Sequence, residues 1–349
     1  MKAGVLTCPG ACRFNDESLK MAKTHLLIGL LTATGLLSAP MAATAAEPVP
    51  GWLAANVGEG AGQIAPVVLE RARALYQRNV ASGKVKNGCY FAMDATRPNE
   101  QTSSAAGGRF YMICEDRQFF RAISSGHGSG RNLPGVANFA NGRTCAKNFG
   151  NAQDSELTTG GAYMTSEIKT SFKGYYRLPG NRATTLTRSF VQFDGIGETA
   201  NARARAIGGH AAARLGGVCM LKKPNSPHAN KDGFVPLGNL VTYPGGRSNG
   251  CTSWAPEDVP QVFSLIKDNP STVYIYPESK DINAVAKAVK DRQSPADMGL
   301  YWNASCLKDI GAPVFWPKEK LEAMIVQYKN DHPAPSPQPL PICKDSPKD

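Results

Sequence analysis

One cysteine in this 349-residue chain is placed to act as a nucleophile. It is Cys251, in the stretch GGRSNGCTSW from Gly245 to Trp254. Nucleophilic sulfur needs thiolate character, a base within hydrogen-bond reach, and donors aimed at the oxyanion that develops on an attacked carbonyl. Gly250 lets the backbone approach such a carbonyl closely, and Ser248 offers a hydroxyl that can fix the turn or orient the base. A cysteine opening a helix gains thiolate character from the dipole, and the N–H groups of that first turn double as an oxyanion hole. A cysteine behind a glycine suits a buried disulfide equally well, so spacing alone leaves both uses open.

The base must come from five histidines. His25 lies in an apolar leader, His228 in the polar loop SPHANKDG, and His332 in a proline-rich tail, which leaves His127 and His210. His210 ends RAIGGH, an apolar run that would hold it rigidly at a strand end. His127 lies in SSGHGSGR, a glycine-flanked loop after another strand-like run. For either residue the plainer use is a structural imidazole bonded to a loop carbonyl.

Whether a thiol survives depends on the compartment. From Met21 the chain reads MAKTHLLIGLLTATGLLSAPMAATAAEP, with Lys23, an apolar core from Leu26 to Leu37, and Ala43-Thr44-Ala45 as an A-x-A cleavage site. That is the layout of a secretory signal peptide, and the apolar run is too short and interrupted for a membrane span. Asp16, Glu17 and two cysteines before Met21 are foreign to a signal n-region, so Met21 is the preferred start and an uncleaved anchor the alternative. The expectation is a periplasmic or secreted chain from about Ala46, with no membrane span. Removing residues 1–46 takes away four Lys/Arg and two Asp/Glu, lowering the formal charge from +11 to +9. Such a charge suits an anionic matrix such as the cell wall, whereas its scatter and the export signal argue against nucleic acid.

Cys8 and Cys12 leave with the leader, and Cys89, Cys114, Cys145, Cys219, Cys251, Cys306 and Cys343 remain. An oxidising compartment pairs surplus thiols, and an odd number leaves one over. Cys251 is the expected remainder. Cys89 and Cys114 open and close the runs CYFAMD and RFYMIC, so adjacent antiparallel strands would bridge them. Cys306 and Cys343 are expected to tie down the C-terminal tail. With no C-x-x-C pair, a zinc or thioredoxin-type site has little support.

The elements that must position these residues read as mainly β, a β-rich α+β fold with a few packing helices. The spacing predicts a helix over residues 65–80, with Pro66 in its first turn and Val68, Ala72 and Leu75 on one face. CYFAMD, RFYMICED and QFFRAIS read as strands, the last two as a hairpin around Glu115 to Gln118. SFVQFDGI, RAIGGHAAA and TVYIYP continue the strands, while residues 126–161 read as long functional loops. APEDVPQVFSLIKD, DINAVAKAVKDR and EKLEAMIVQYK read as helices, and PAPSPQPLP as a semi-rigid exposed arm. The expected segments are a leader (1–46), a helical segment (47–84), a main domain (85–280), a helical extension (281–330) and a tail (331–349).

Taken in order, these residues resemble the murein L,D-transpeptidase catalytic domain of the YkuD-related type. That family's signature is a histidine at a strand end followed by a Ser/Thr-x-Gly-Cys turn, matched by His210 and by Ser248-Asn249-Gly250-Cys251. Further landmarks follow in sequence: Asp94 in AMDAT, the strand pair 109–124 leading to His127-Gly128 and Gly130, and Phe149-Gly150-Asn151. Gly160-Gly161-Ala162-Tyr163, then Asn201 to Ala206, and Tyr274 to Tyr276 complete a resemblance spanning roughly residues 65–280. Two features depart from the pattern. Asn249 stands where His or Arg is usual, and the longer gap before Ser248 holds CMLKKPNSPHANKDGFVPLGNL, which reads as an inserted lid or a flap tied through Cys219.

The resemblance implies a YkuD-like catalytic β-sandwich and acyl transfer on peptidoglycan stem peptides. In that scheme His210 deprotonates Cys251, the N–H groups of Gly250 and Cys251 form the oxyanion hole, and Ser248 holds the turn or the imidazole. His127 would line the donor groove, Arg247 would meet a stem carboxylate, and Asn249 occupies the position of a substrate contact. Thiolate, imidazole and backbone donors suffice without metal or organic cofactor, and a monomer is expected. Two rivals compete. A sortase-like transpeptidase wants an arginine on a strand after the nucleophile, which TVYIYPES lacks. A non-catalytic, disulfide-braced wall-binding protein would pair Cys251 with Cys219.

Overall fold

The β-branched and aromatic runs after Val85 fold as strands, and all but two of them join one mixed sheet. The computed structural model describes residues 48–98, 108–128, 130, 145–243 and 247–344, with Arg247 known by its backbone alone; the leader lies outside the described residues. The strands are β1 (Cys89–Asp94), β2 (Phe110–Cys114), β3 (Phe119–Ile123), β4 (Ser125–Gly128), β5 (Asn148–Gly150), β6 (Gly161–Leu178) and β7 (Arg182–Ile196). They continue with β8 (Gly208–Ala211), β9 (Ala213–Lys222), β10 (Phe234–Thr242), β11 (Arg247–Ser248), β12 (Thr252–Trp254), β13 (Thr272–Tyr276) and β14 (Val314–Trp316). The helices are α1 (Gly51–Ala54), α2 (Pro66–Ala81), α3 (Val259–Ile266), α4 (Ser279–Lys290), α5 (Ala304–Ile310) and α6 (Lys318–Asp331). The architecture is mainly β with a few helices.

The sheet runs β11-β4-β12-β8-β7-β6-β13-β1-β2-β3, with the β9–β10 hairpin added along the outer half of β6. β2 and β12 stand far apart along this order, yet Phe110 and Trp254 meet edge to face at 5.0 Å. The sheet therefore curls over on itself. Phe91, Met93, Phe110 and Met112 from one limb pack against Val191, Phe193 and Trp254 from the other, and α3 adds Val259, Val262 and Ile266. On the outside, α2 lays Val68, Leu69, Ala72 and Leu75 over Tyr90, Tyr111, Ile113 and Tyr274. Burying each such aliphatic side chain contributes roughly 1.5–3 kcal/mol of transfer free energy. The N-terminal helical segment is thus packed onto the main sheet, within a compact unit from Ala46 to Asp349.

Several expectations change in detail. The inserted stretch before Ser248 is a β-hairpin, paired from Phe234↔Lys222 through Thr242↔Ala213 and tied through Cys219 to Cys343. Residues 126–161 include β4 and β5, and β6 continues as a long strand from their end. Cys89 and Cys114 are cross-strand partners on β1 and β2 and are disulfide-bonded, as their positions suggest. Cys306 fastens α5 to Cys145, just ahead of β5, instead of holding the tail. The tail is held by Cys219–Cys343 and by two backbone bonds, Met220 N–H to the Pro341 carbonyl (2.8 Å) and Cys343 N–H to the Met220 carbonyl (3.0 Å). Among the described residues, no helix is long and apolar enough to cross a membrane.

Candidate active site

Strand register sets where Cys251 stands relative to His210. β12 runs parallel to β8 with Thr252 level with Gly209, Ser253 with His210 and Trp254 with Ala211. Residues level with one another in a sheet point to the same face, and alternate residues of one strand share a face. Trp254 and Thr252 point into the core, Trp254 against Phe110 and Thr252 Oγ1 toward the Met93 sulfur. His210 and Ser253 therefore occupy the opposite face, and the register continued back one residue puts Cys251 there too. One strand spacing across and two residues along separate the Cα atoms by about 8 Å.

The imidazole is prepared as a base. His210 is buried, and its Nδ1 donates to the Ala211 carbonyl at 2.8 Å, since a carbonyl can only accept. Nε2 of the neutral ring is thereby left as the lone-pair nitrogen. Burial lowers its pKa from 6.5 to about 4; the Ala211 bond opposes this, and the nearby charges of Arg188 and Lys173 add to it. Phe190, its cross-strand neighbour on β7, stacks near the ring with centroids 6.4 Å apart. Gly209 has no room for a side chain, because a Cβ would come within 2.0 Å of the Trp254 ring. The second glycine of G-G-H is what allows Trp254 to pin β8 against β12.

The turn before Cys251 is built by Ser248 and Gly250. Ser248 donates its hydroxyl to the Cys251 carbonyl, so of its two expected uses the structure shows the turn-closing one. Gly250 has φ +102°, left-handed territory, and a Cβ there would stand 2.8 Å from Ile207 Cδ1 and 3.1 Å from the Leu157 carbonyl. Asn249 is exposed at the tip of the turn. The half-buried Cys251 thiol donates to the Ala206 carbonyl at 3.4 Å. A strand follows it, not a helix, since α3 begins only at Val259. The helix-dipole activation expected from the sequence has no helix to supply it.

His127 is placed differently. Gly126 is level with Ser253 and Ser125 with Trp254, so His127 points to the core side of β4, away from Cys251 and His210. It is 2% exposed, and its Nδ1 accepts from Arg109 Nη2 at 2.8 Å. Arg109, itself fully buried, also donates to the carbonyls of Ser125 and Arg97. Desolvation lowers its pKa to about 9, against the opposing pull of Asp94. Arg247 is level with His127 on β11. The groove-lining position expected for His127 is therefore not where the fold puts its ring.

Arg205 is the residue that sequence reasoning passed over, quoted only as part of a run before the histidine. Its guanidinium lies directly under Gly250, with Nη2 3.5 Å from the position of a Cβ there. Nη1 donates to Thr159 Oγ1 (2.6 Å), and Nη2 to the Leu157 carbonyl (2.7 Å) and Ser155 Oγ (3.3 Å). Burial lowers its pKa, opposed by Tyr163, Cys251, Glu322 and Asp154 in turn. Tyr243, beyond β10, is also within electrostatic range of Cys251 and bonds Arg188; its pKa is raised, chiefly by burial. Six cysteines are consumed in three disulfides, and Cys251 is in none of them. Cys219, the partner required by a disulfide-braced wall-binding reading, is taken by Cys343. Among the described residues no cluster of His, Cys, Asp and Glu is arranged to hold a metal ion. No family model, curated protein or solved structure matches the chain.

Proposed function

We propose that this protein is a cysteine-dependent acyltransferase acting on peptidoglycan stem peptides, as an L,D-transpeptidase or L,D-carboxypeptidase. One observation carries the reading: the thiol left outside the disulfides shares a sheet face with a histidine whose Nδ1 proton is committed to a carbonyl. Nε2 of His210 takes the Cys251 proton, and the thiolate attacks the carbonyl between meso-diaminopimelate and the following D-residue. Backbone N–H groups of Gly250 and Cys251 receive the developing oxyanion. The C–N bond breaks, the leaving amine collects the proton from the imidazolium, and a thioester remains. An amine of a neighbouring stem, or water, then gives up a proton to His210, attacks the thioester and releases the thiolate.

The three disulfides support folding in an oxidising, extracytoplasmic compartment, where a peptidoglycan substrate is found. The formal net charge, +11 for the whole chain and +9 without residues 1–46, favours association with an anionic wall. Incubation with a tetrapeptide muropeptide, followed by mass spectrometry, tests the assignment. The expected product has lost one D-Ala or gained a second stem, and Cys251→Ala forms neither. Unchanged muropeptide with the folded wild-type protein, supplied with amine acceptors or water alone, would contradict it.

A further inference from the structure

We propose that Arg205 is the positioning residue that stabilises the Cys251 thiolate formed when His210 takes its proton, replacing the helix N-terminus that the fold does not place there. The proposal rests on Cys251 being the nucleophile, and it is read out on the thiol itself. Three observations carry it. The guanidinium lies beneath the side-chain-less Gly250, 3.5 Å from where a Cβ would stand, so the turn holding Cys251 rests on a cation. The chain then places Ala206, the next residue, so that its carbonyl receives the Cys251 S–H at 3.4 Å. A carbonyl contact of that kind favours the thiol and repels the thiolate, so deprotonation turns the sulfur away from Ala206 and needs a positive charge to receive it.

The third observation is what Arg205 is bonded to. Its three acceptors, Thr159 Oγ1, Ser155 Oγ and the Leu157 carbonyl, are neutral. The carboxylates that act on it are both engaged elsewhere: Asp154 with Lys329, and Glu322 with the Gln153 N–H. Burial lowers the guanidinium's pKa, and Tyr163, then Cys251, then the two carboxylates oppose it. A buried cation held by neutral oxygens is costly unless an anion faces it, and the thiolate is that anion. Tyr243, beyond β10, also acts with the sulfur, and Arg188 on β7 and Lys173 on β6 act on the imidazole of His210 on β8. Tyr243 is neutral over the working range, and the two more distant cations act in the same direction as Arg205.

The test is the pH dependence of iodoacetamide alkylation, followed by intact mass in the absence of reductant so that the disulfide sulfurs do not react. The wild-type midpoint is expected well below the ordinary thiol value of about 8.5. Arg205→Gln should raise it by about one unit or more, so that alkylation slows about tenfold on the acid limb and is unchanged at high pH. Arg205→Lys should fall between the two. An ordinary wild-type midpoint overturns the proposal, and so does a variant slowed by the same factor at every pH, which reports lost access instead of lost charge. Should Arg205→Gln fail to fold, Thr159→Val, which removes one anchor of the guanidinium, is expected to move the midpoint in the same direction. No movement in that variant also counts against the proposal. A low midpoint in a protein inert toward muropeptides would sink the substrate assignment and leave Arg205 standing; turnover with an ordinary midpoint would do the reverse.

Discussion

Gly250 compresses the site into one residue: its φ of +102° aims the turn, and its missing side chain leaves room for Ile207, the Leu157 carbonyl and Arg205. Gly250→Ala is expected to cost about 1–3 kcal/mol of stability. It should also slow turnover at least tenfold, because the turn must shift before a methyl group fits. Denaturant midpoints and muropeptide kinetics measured side by side check this, and a stable variant with unchanged rate would contradict it. At this scale the sequence was informative wherever the chemistry is local. Ser248, Gly250 and Cys251 lie within four residues, whereas elimination leaves His127 and His210 together and only the resemblance, with its histidine at a strand end, separates them. Arg205 was illegible because its partners Ser155, Leu157 and Thr159 lie 46 to 50 residues away in sequence. His127 misled because a glycine-flanked histidine looks like a loop residue, while register with β12 turns its ring into the core.

Among elements, α6 has a function its position near the C-terminus conceals. Leu321 and Ile325 pack on Ala152 and Leu157, which belong to the loop beneath Gly250, and Glu322 receives the Gln153 N–H at 2.8 Å. α6 thus braces the loop that seats Arg205. Leu321→Ala is expected to destabilise the protein by about 2–5 kcal/mol. It should also raise hydrogen exchange in residues 151–160 ahead of β1 and β2; uniform exchange across all of them would argue against a local brace. α2, α3, α4 and α6 were readable from apolar spacing, as were short strands with apolar faces such as β1, β2 and β13, whereas the short α1 and α5 offer too few turns to show a period. β6 was not, because SEIKTSFKGYYR exposes polar residues on both faces and lacks a buried side to set a period of two. The β9–β10 hairpin was masked by Pro, Asn and Gly in its long turn, and by a pairing to β6 that only tertiary structure supplies.

Across the molecule, the curled sheet buries a histidine in neutral form, and that couples stability to pH. His210 titrates near 6.5 when unfolded and about 4 when folded, so between these values the unfolded chain binds more protons. Stability is at its full value above pH 6.5, falls as pH drops toward 4 and levels off below, a loss of about 3 kcal/mol from this group. Denaturant unfolding at pH 7 and pH 4 should show that loss in the wild type and a smaller one in His210→Gln, since other acidic groups titrate in both. An equal loss in the two proteins would place His210 in solvent. The mainly β class was legible in the strand-rich runs, but the closure of the sheet was not, because it depends on Phe110 and Trp254 meeting across residues 144 positions apart.

The most direct test of the account is acylation of Cys251 itself. A carbapenem, mixed with the native protein and followed by intact mass and peptide mapping, is predicted to leave one adduct on the peptide containing Cys251. His210→Gln, folded as judged by its thermal melt, should acquire that adduct at least tenfold more slowly at pH 7. An adduct forming at the same rate without the imidazole, or a reaction located on any other residue, would contradict the pairing of Cys251 with His210.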